Sequence, residues 1–222
     1  MLTSTKKADI YMKNKPYHHG DLARTLIETT AAIIEESGHD SVSVREVAKR
    51  AEVSPGAPFR HFASREALLA AVAGQAMERL SVAVNAAQAP TDADPLGQIQ
   101  AIGLGYLSWA RANPEHFKVV SQRNLVDLDV RAKELNDDIR NRMIGLLAMA
   151  RETKQMRQDL DPAAILLSCR ATVYGLARMY VDGHFPEWQP EGDPSDWMTR
   201  ALALFIQTLR GNEGIGALPI WR

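Results

Sequence analysis

The chain has 222 residues, 45% of them hydrophobic, which is enough to bury a sizeable core in one large or two small domains. Its 26 Lys and Arg residues nearly balance 27 Asp and Glu residues, so overall charge gives no indication of a partner. No stretch approaches about 18 consecutive apolar residues, and residues 1–15 lack an apolar signal-peptide segment, so we predict a cytoplasmic protein without a membrane span. The single cysteine, Cys169, excludes an intrachain disulfide and suits a reducing compartment.

Helix-forming residues dominate the sequence, and alternation of β-branched residues is absent, which predicts an all-α fold of about nine helices. The first helix is predicted from an apolar stripe formed by Leu22, Leu26, Ile33 and Ile34, and Gly38 is expected to end it. We predict that this helix and the two short ones after it pack as one domain.

The second predicted helix begins at Ser43. Ser43 and Glu46 have the spacing of a capping box, in which the hydroxyl and the carboxylate each bind an unpaired amide at the helix start. Apolar residues then recur at helical spacing, and two of them are small enough for another helix to cross closely. These residues are Val44, Val47, Ala48 and Ala51.

A third helix is predicted over residues 55–62. Ser54 is expected to cap it, and Pro55 occupies its first position, where a missing amide costs nothing. Pro58 falls within the first turn, where it removes at most one internal hydrogen bond. The sequence therefore predicts a rigid helix of about two turns, which is too short to be stable alone.

The start of this third helix carries small residues. Gly56 and Ala57 leave the backbone amides open, so that these amides can approach a phosphate or a base edge. Two capped helices that begin about eleven residues apart have the geometry of a helix-turn-helix DNA-binding motif.

Basic residues are concentrated in the same part of the chain. Residues 43–65 contain five basic and two acidic residues, and residues 6–15 contain four Lys residues and one Asp residue, so each stretch carries a net charge of +3. Such an excess attracts a polyanion by counterion release. Charge alone leaves a solvated helix face as the alternative, but charge on a capped helix-turn-helix favours DNA.

Four motifs lie between residues 17 and 70, namely YHHGDL at 17–22, VAKRA at 47–51, FRHF at 59–62 and SREAL at 64–68. Together they resemble the DNA-binding domain of the tetracycline-repressor (TetR/AcrR) family of bacterial transcription regulators. The resemblance implies that Arg45 and the third helix enter the major groove of double-stranded operator DNA, with other residues near phosphates. The predicted DNA-binding residues are Ser43, Arg45, Ser54, Pro55, Gly56, Ala57, Phe59, Arg60, His61 and Arg65.

Three residues depart from the family pattern. Glu52 stands where the family usually has Gly, and a non-Gly residue with positive φ costs about 1 kcal/mol. Phe59 replaces the usual Tyr, which removes a hydroxyl that would reach a phosphate. Arg65 replaces the usual Lys, which keeps the charge and adds a bidentate option.

A fourth helix over residues 64–87 is predicted to connect two domains. We place the amino-terminal arm and helix-turn-helix domain at residues 1–70 and a helical effector-binding and dimerisation domain at residues 71–222. Turn-forming residues at 89–95 mark the loop after this helix.

Asx-Pro pairs mark the predicted helix starts in the second domain. Each offers a capping side chain followed by a proline at the first helical position, at Asp94-Pro95, Asn113-Pro114, Asp161-Pro162 and Asp193-Pro194. The helices are predicted over residues 95–112, 114–123, 129–156, 161–182 and 194–210.

The last two helices, over about 161–182 and 194–210, are apolar over more of their circumference than one core face needs. The family resemblance implies that they form the four-helix bundle of a homodimer. Two-fold symmetry then predicts two half-sites about 34 Å apart on a palindromic operator.

A small-molecule effector of unknown identity is implied by the same resemblance, bound between helices of the second domain. Rings and a few polar groups there suit an apolar pocket with orienting contacts. The candidates are Tyr106, Trp109, His116, Phe117, Gln122, Met143, Arg170 and Tyr174. For each of them a place in the core or on the surface is the alternative.

Enzyme motifs are missing from the sequence, which has no Gly-rich phosphate loop, Gly-x-Ser-x-Gly elbow or His-Glu-x-x-His. We expect no catalytic residue, no metal site and no cofactor, and we interpret Cys169 as a buried structural thiol. Two other functions stay open at this point: an architectural DNA-binding protein without an effector, and a helical enzyme or small-molecule carrier.

Overall fold

The computed structural model describes residues 19–87, 94–121, 128–188 and 191–211. Within these ranges the chain forms nine α-helices and no β-sheet, which confirms the all-α prediction. The helices are α1 (His19–Ser37), α2 (Val44–Arg50), α3 (Arg65–Ala86), α4 (Pro95–Ala112), α5 (Pro114–Ser121), α6 (Val130–Glu152), α7 (Pro162–Val181), α8 (Phe185–Trp188) and α9 (Pro194–Leu209). Two 3₁₀ turns, His39–Ser41 and Pro58–Arg60, lie in the amino-terminal part.

Aspartate side chains start several of these helices. Asp94 Oδ1 accepts from the Gly97 amide at 2.7 Å, and Asp161 and Asp193 accept from amides two residues later. Asn113 was expected to do the same, and that detail is wrong. Its side-chain amide donates to the Trp109 carbonyl oxygen at 3.0 Å and its Oδ1 accepts from Arg79 Nη1 at 3.1 Å, so Asn113 closes α4 instead of capping α5.

Helix α6 ends at Glu152, four residues before the predicted end at 156. Lys154 adopts a left-handed φ of 59°, which stops the helix. The backbone then turns back, and Met156 pairs with Arg210 in an isolated antiparallel bridge. Met156 is therefore buried in the core but lies beyond the end of α6.

Helix α3 is the central element of the fold. Ser64 Oγ accepts from the Ala67 amide at 3.2 Å, as expected for a cap, and the helix packs against α1, α4, α5 and α6. By length and composition it is also the one described helix able to cross a membrane, but its apolar side chains are used in the protein core.

One cluster of buried apolar side chains joins both parts of the chain. It extends from Leu26 in α1 through Leu68 and Val72 in α3 to Leu202 in α9. Because α3 continues from Arg65 to Ala86, it crosses the domain boundary predicted at residues 70 and 71. That boundary stays a prediction.

Candidate nucleic-acid interface and effector cavity

The turn between α1 and α2 is closed by a side chain from α3. Gly38 has a φ of 78° and ends α1 as predicted, and a 3₁₀ turn follows. Arg65 then donates from Nε to the Val42 carbonyl oxygen at 3.0 Å and from Nη2 to the His39 carbonyl oxygen at 2.8 Å. The guanidinium thereby fixes the approach to α2.

Helix α2 has half of its predicted capping box. Ser43 Oγ accepts from the Glu46 amide at 3.1 Å. The Glu46 carboxylate does not return to the helix start, because it accepts from Arg50 Nε at 2.9 Å. Arg50 also pairs with Glu36 of α1, and hydrogen bonds to Glu36 and Glu46 raise the pKa of Arg50. Arg50 therefore joins α2 to α1.

The third helix of the predicted motif is shorter than expected. We call residues 54–62 the recognition segment. It contains a 3₁₀ turn at Pro58–Arg60 in place of the predicted α-helix over 55–62. The reason is Pro58, which has no amide to donate to the Ser54 carbonyl oxygen, so this oxygen accepts from the Ala57 amide at 2.9 Å.

The recognition segment presents its first residues to solvent. Ser54, Pro55 and Gly56 are exposed, whereas Pro58 is buried. A Cβ atom added to Gly56 would meet nothing within 4 Å, so the surface around this residue is open. Before the segment, Glu52 has a φ of 55°, the strained conformation expected where the family has Gly.

The predicted DNA-binding residues differ in exposure. The exposed ones are Ser43, Arg45, Ser54, Pro55, Gly56, Phe59 and Arg60, and the half-buried ones are Ala57, His61 and Arg65. Phe59 is 55% exposed, so its ring is available to a partner. Their roles toward DNA stay predictions.

Two of the half-buried residues are already engaged or turned inward. His61 Nε2 is buried and has no hydrogen-bond partner in the part of the chain that the structure describes. Arg65 uses its guanidinium on the two carbonyl oxygens before α2. A phosphate contact from either residue therefore needs its side chain to change partner or orientation.

A cavity of about 350 Å³ lies between α3, α4, α6, α7 and α9. Four of the predicted effector residues line it, namely Tyr106, Trp109, Met143 and Arg170. Most of the remaining wall is apolar, with Leu80 and Val84 from α3 and Leu202 and Ile206 from α9. This is the size and character of a small-molecule site, for which about 300–1,000 Å³ is usual.

Three other predicted effector residues do not line this cavity. His116 is 6% exposed and its Nε2 donates to Gln75 Oε1 at 2.9 Å, on the side of α5 that faces α3. Phe117 is fully buried behind the wall, with its ring centroid 6.2 Å from that of Trp109, and the tilted ring of Tyr174 packs against Phe117 with the two centroids 5.8 Å apart. Gln122 lies outside the described residues.

The sequence interpretation missed the polar residues that α6 contributes. Asn136 and Arg140 line the cavity together with Ile139 and the predicted Met143. The spacing of these four positions places them on one face of a helix. The spacing of three, four and seven residues from Met143 was the sequence signal for the other three.

Burial sets the protonation of two groups near the cavity. Desolvation raises the pKa of Cys169 in the wall to about 11, so its thiol stays protonated. Desolvation and the nearby Arg79 lower the pKa of His116 to about 4, so its ring stays neutral. No cluster of three or more His, Cys, Asp or Glu side chains suited to a metal occurs among the described residues.

Comparison with protein families matches both parts of the chain. The model described as "Bacterial regulatory proteins, tetR family" matches residues 26–72, and the model "Tetracyclin repressor-like, C-terminal domain" matches residues 99–205. The HTH-type transcriptional repressor KstR of Mycolicibacterium smegmatis is 35% identical over 57 residues. That match covers 26% of this chain and 28% of KstR.

Solved structures share the fold over most of the chain. A protein of unknown function from Rhodococcus sp. RHA1 superimposes with a TM-score of 0.73 at 26% identity, covering 89% of this chain and 100% of the other. A tetR-family regulatory protein from Rhodococcus RHA1 gives a TM-score of 0.63 at 20% identity, covering 85% and 96%. At that identity the second likeness shows the fold alone.

Proposed function

This chain belongs to the TetR family of bacterial regulatory proteins, and we propose that it is a repressor that binds a palindromic operator as a homodimer and releases it when a small molecule fills the cavity. The observation that carries the proposal is the recognition segment, which is anchored by the buried Pro58 and exposes Ser54, Pro55 and Gly56. A regulator of this kind acts on chromosomal DNA, so we place it in the cytoplasm.

DNA recognition is proposed to use backbone amides and arginines together. The open surface at Gly56 lets a phosphate or base edge approach the segment closely. Arg45 on α2 and Arg60 on the segment are both exposed and provide guanidinium groups for guanine edges or phosphates. Binding is therefore expected to weaken steeply with salt.

The homodimer is proposed to form through α7 and α9. Leu167 on α7 is 70% exposed and Leu204 on α9 is 50% exposed, although both helices are otherwise rich in buried apolar residues. Exposed Ala164 and Ala171 flank Leu167 at helical spacing, which favours close packing of a second copy on this face. A two-fold axis there supports two half-sites about 34 Å apart.

Helix α3 is proposed to couple the cavity to the recognition segments. Its first residue, Arg65, holds the turn before α2, and its later residues Met77, Leu80 and Val84 line the cavity. A ligand that displaces these three side chains tilts the helix and alters the separation of the two recognition segments. A coupling of about 1–3 kcal/mol gives a switch of about 5- to 150-fold in operator affinity.

The proposal is tested by fluorescence anisotropy with DNA that flanks the chain's own gene and with random duplex of equal length. The wild type is expected to prefer the flanking DNA by about 10³-fold or more. Arg45→Ala and Gly56→Trp should abolish this preference while circular dichroism and dimer mass stay unchanged. Arg131→Ala, at an exposed position on α6, is the control and should bind like the wild type.

Each other outcome points to a different function. Equal affinity for both duplexes would identify an architectural DNA-binding protein. Unchanged binding in both recognition-segment variants would place the DNA contact elsewhere. Absence of DNA binding at low salt would favour the enzyme or carrier and refute the proposal.

A further inference from the structure

The polar residues of the cavity wall are unevenly distributed. Among the described residues that line it, Arg140 and Arg170 are the charged ones, and none is Asp or Glu. Both arginines are exposed, whereas Trp109 and Leu202 in the same wall are buried. The cavity therefore has an apolar interior and a basic mouth between α6 and α7.

Arg170 is held at this mouth by aromatic rings. Its guanidinium Cζ lies 4.7 Å from the ring centroid of Tyr106 and 5.5 Å from that of Tyr174. No carboxylate pairs with it in the described part of the chain. Stacking fixes the plane of the guanidinium and leaves its edge for an acceptor.

Arg140 has a partner that a ligand can replace. Its Nη2 lies 3.4 Å from Asp137 Oδ1, and both side chains are more than half exposed. Exposed pairs of this kind contribute little to stability. A ligand anion that binds this guanidinium therefore displaces only a weak ion pair.

We propose that the effector is a compact amphipathic anion, with an apolar body inside the cavity and an oxyanion head bound by Arg140 and Arg170. This inference rests on the proposed function in taking the cavity as the effector site. A volume of about 350 Å³ is at the small end for ligand sites, so the apolar body is short. A carboxylate and a phosphate monoester both match the fork of a guanidinium.

Preference for an anionic head group is tested by calorimetry on the full chain with probes that share a ten-carbon chain and differ in head group. Each probe is used below its critical micelle concentration. Decanoate or decyl phosphate is expected to bind at least about tenfold more tightly than decanol, because charge-assisted hydrogen bonds are stronger than neutral ones. Decyltrimethylammonium should not bind. Comparing decanoate with decyl phosphate tells which oxyanion the mouth prefers.

Arginine variants locate the binding group. Arg140→Gln and Arg170→Gln should each lose most of the preference for the anion and should bind decanol like the wild type. Arg131→Gln on α6, which also pairs with a carboxylate three residues away, and Arg178→Gln on α7, which pairs with Asp182, are the matched controls and should change nothing. If Arg170→Gln unfolds because the stacking on the aromatic rings is lost, Arg140→Gln still tests the inference, because Arg140 is exposed and its substitution should leave the fold intact.

Several results would overturn the inference: decanol binding as tightly as the anions, an equal loss of anion binding in the control variants, or no binding by any of the probes. None of these readouts involves DNA. A chain that binds its operator without selecting anions refutes this inference alone, and a chain that selects anions without binding DNA refutes the proposed function alone.

Discussion

His116 Nε2 donates a hydrogen bond to Gln75 Oε1 across 2.9 Å, which joins α5 to the middle of α3. The imidazole is buried, and desolvation together with the charge of Arg79 lowers its pKa to about 4. The ring is therefore neutral in the folded chain at pH values where an unfolded histidine, with its pKa near 6.5, takes up a proton.

We predict that mild acid destabilises the fold through His116. Between pH 6.5 and pH 4 the unfolded chain binds one more proton at this residue than the folded chain, so stability falls as pH falls. From a pKa of about 4, the loss between about pH 7.5 and pH 5 is about 2 kcal/mol. Urea unfolding at several pH values measures it.

The His116→Gln variant cannot take up this proton. Between about pH 7.5 and pH 5 its free energy of unfolding should therefore fall by about 2 kcal/mol less than that of the wild type. His184→Gln, at an exposed histidine, serves as the control and should keep the wild-type pH dependence. Parallel curves for the wild type and His116→Gln would show that His116 is not the responsible group.

The contact between α3 and α4 depends on Gly105. A Cβ atom on this residue would lie 2.9 Å from the Ala83 carbonyl oxygen and 2.9 Å from Val84 Cα, and these backbone atoms cannot move aside alone. Gly105→Ala therefore forces the two helices apart and should lower the free energy of unfolding by about 1–3 kcal/mol. Because Val84 lines the cavity, the change should also alter ligand affinity.

Gly145 on α6 provides the matched substitution. A Cβ atom there meets nothing within 4 Å, so Gly145→Ala adds only helix propensity and should raise the free energy of unfolding by about 0.5–1 kcal/mol. Denaturant titration distinguishes the two substitutions. Stabilisation by both would mean that α3 and α4 do not approach as closely as described.

Helix starts were predictable because a local rule decides them. An Asp before a proline caps its own helix whatever the rest of the chain does, and Asp94, Asp161 and Asp193 obey this rule. Asn113 does not follow the rule because its Oδ1, the atom that would cap α5, accepts from Arg79 Nη1 at 3.1 Å, while its side-chain amide donates to the Trp109 carbonyl oxygen. The recognition segment does not form the predicted α-helix, because its two prolines leave too few amide donors for the α-helical hydrogen-bond pattern.

The cavity was only partly predictable. Aromatic rings were expected to contact a ligand, but Phe117 and Tyr174 pack on the outer side of the wall formed by Tyr106 and Trp109. Which side of a helix faces a cavity depends on how neighbouring helices pack, and one sequence does not encode this locally. Arg140 differs, because its helical spacing from Met143 on α6 was a sequence signal for a place in the same wall.

Asp94 combines a helix cap with a long-range ion pair. Burial alone would raise its pKa, but the Gly97 amide and Arg210 together lower it. Arg210 Nη1 lies 3.0 Å from Asp94 Oδ2, which ties the end of α9 to the start of α4. Asp94→Ala removes both contacts and should lower the free energy of unfolding by about 2 kcal/mol.

Asp193→Ala separates the two contributions. Asp193 caps α9 through the Ser195 amide at 2.8 Å, and none of the described ion pairs includes it. Its loss should cost about 1 kcal/mol, the usual value for a cap. Thermal unfolding measures the loss of stability in Asp94→Ala and in Asp193→Ala. Equal losses would show that the ion pair with Arg210 does not contribute to stability.

Arg65 and Arg60 are both predicted to bind DNA, but the structure gives them different surroundings. Arg60 is exposed on the recognition segment, so Arg60→Ala should leave the free energy of unfolding unchanged and weaken binding to all DNA sequences. The slope of the logarithm of the binding constant against the logarithm of the salt concentration, the salt slope, should become smaller in magnitude by about one. Arg65→Ala leaves the carbonyl oxygens of Val42 and His39 without their donor and should lower the free energy of unfolding by about 1–3 kcal/mol.

Arg65→Ala should also weaken operator binding, because the turn before α2 loses its fixed position. Unfolding in urea and anisotropy at about 50 and 200 mM salt separate this indirect effect from a direct one, since only a lost phosphate contact changes the salt slope. If Arg65→Ala is as stable as the wild type and lowers the slope by about one, Arg65 binds a phosphate itself. In that case its bonds to the two carbonyl oxygens give way when DNA binds.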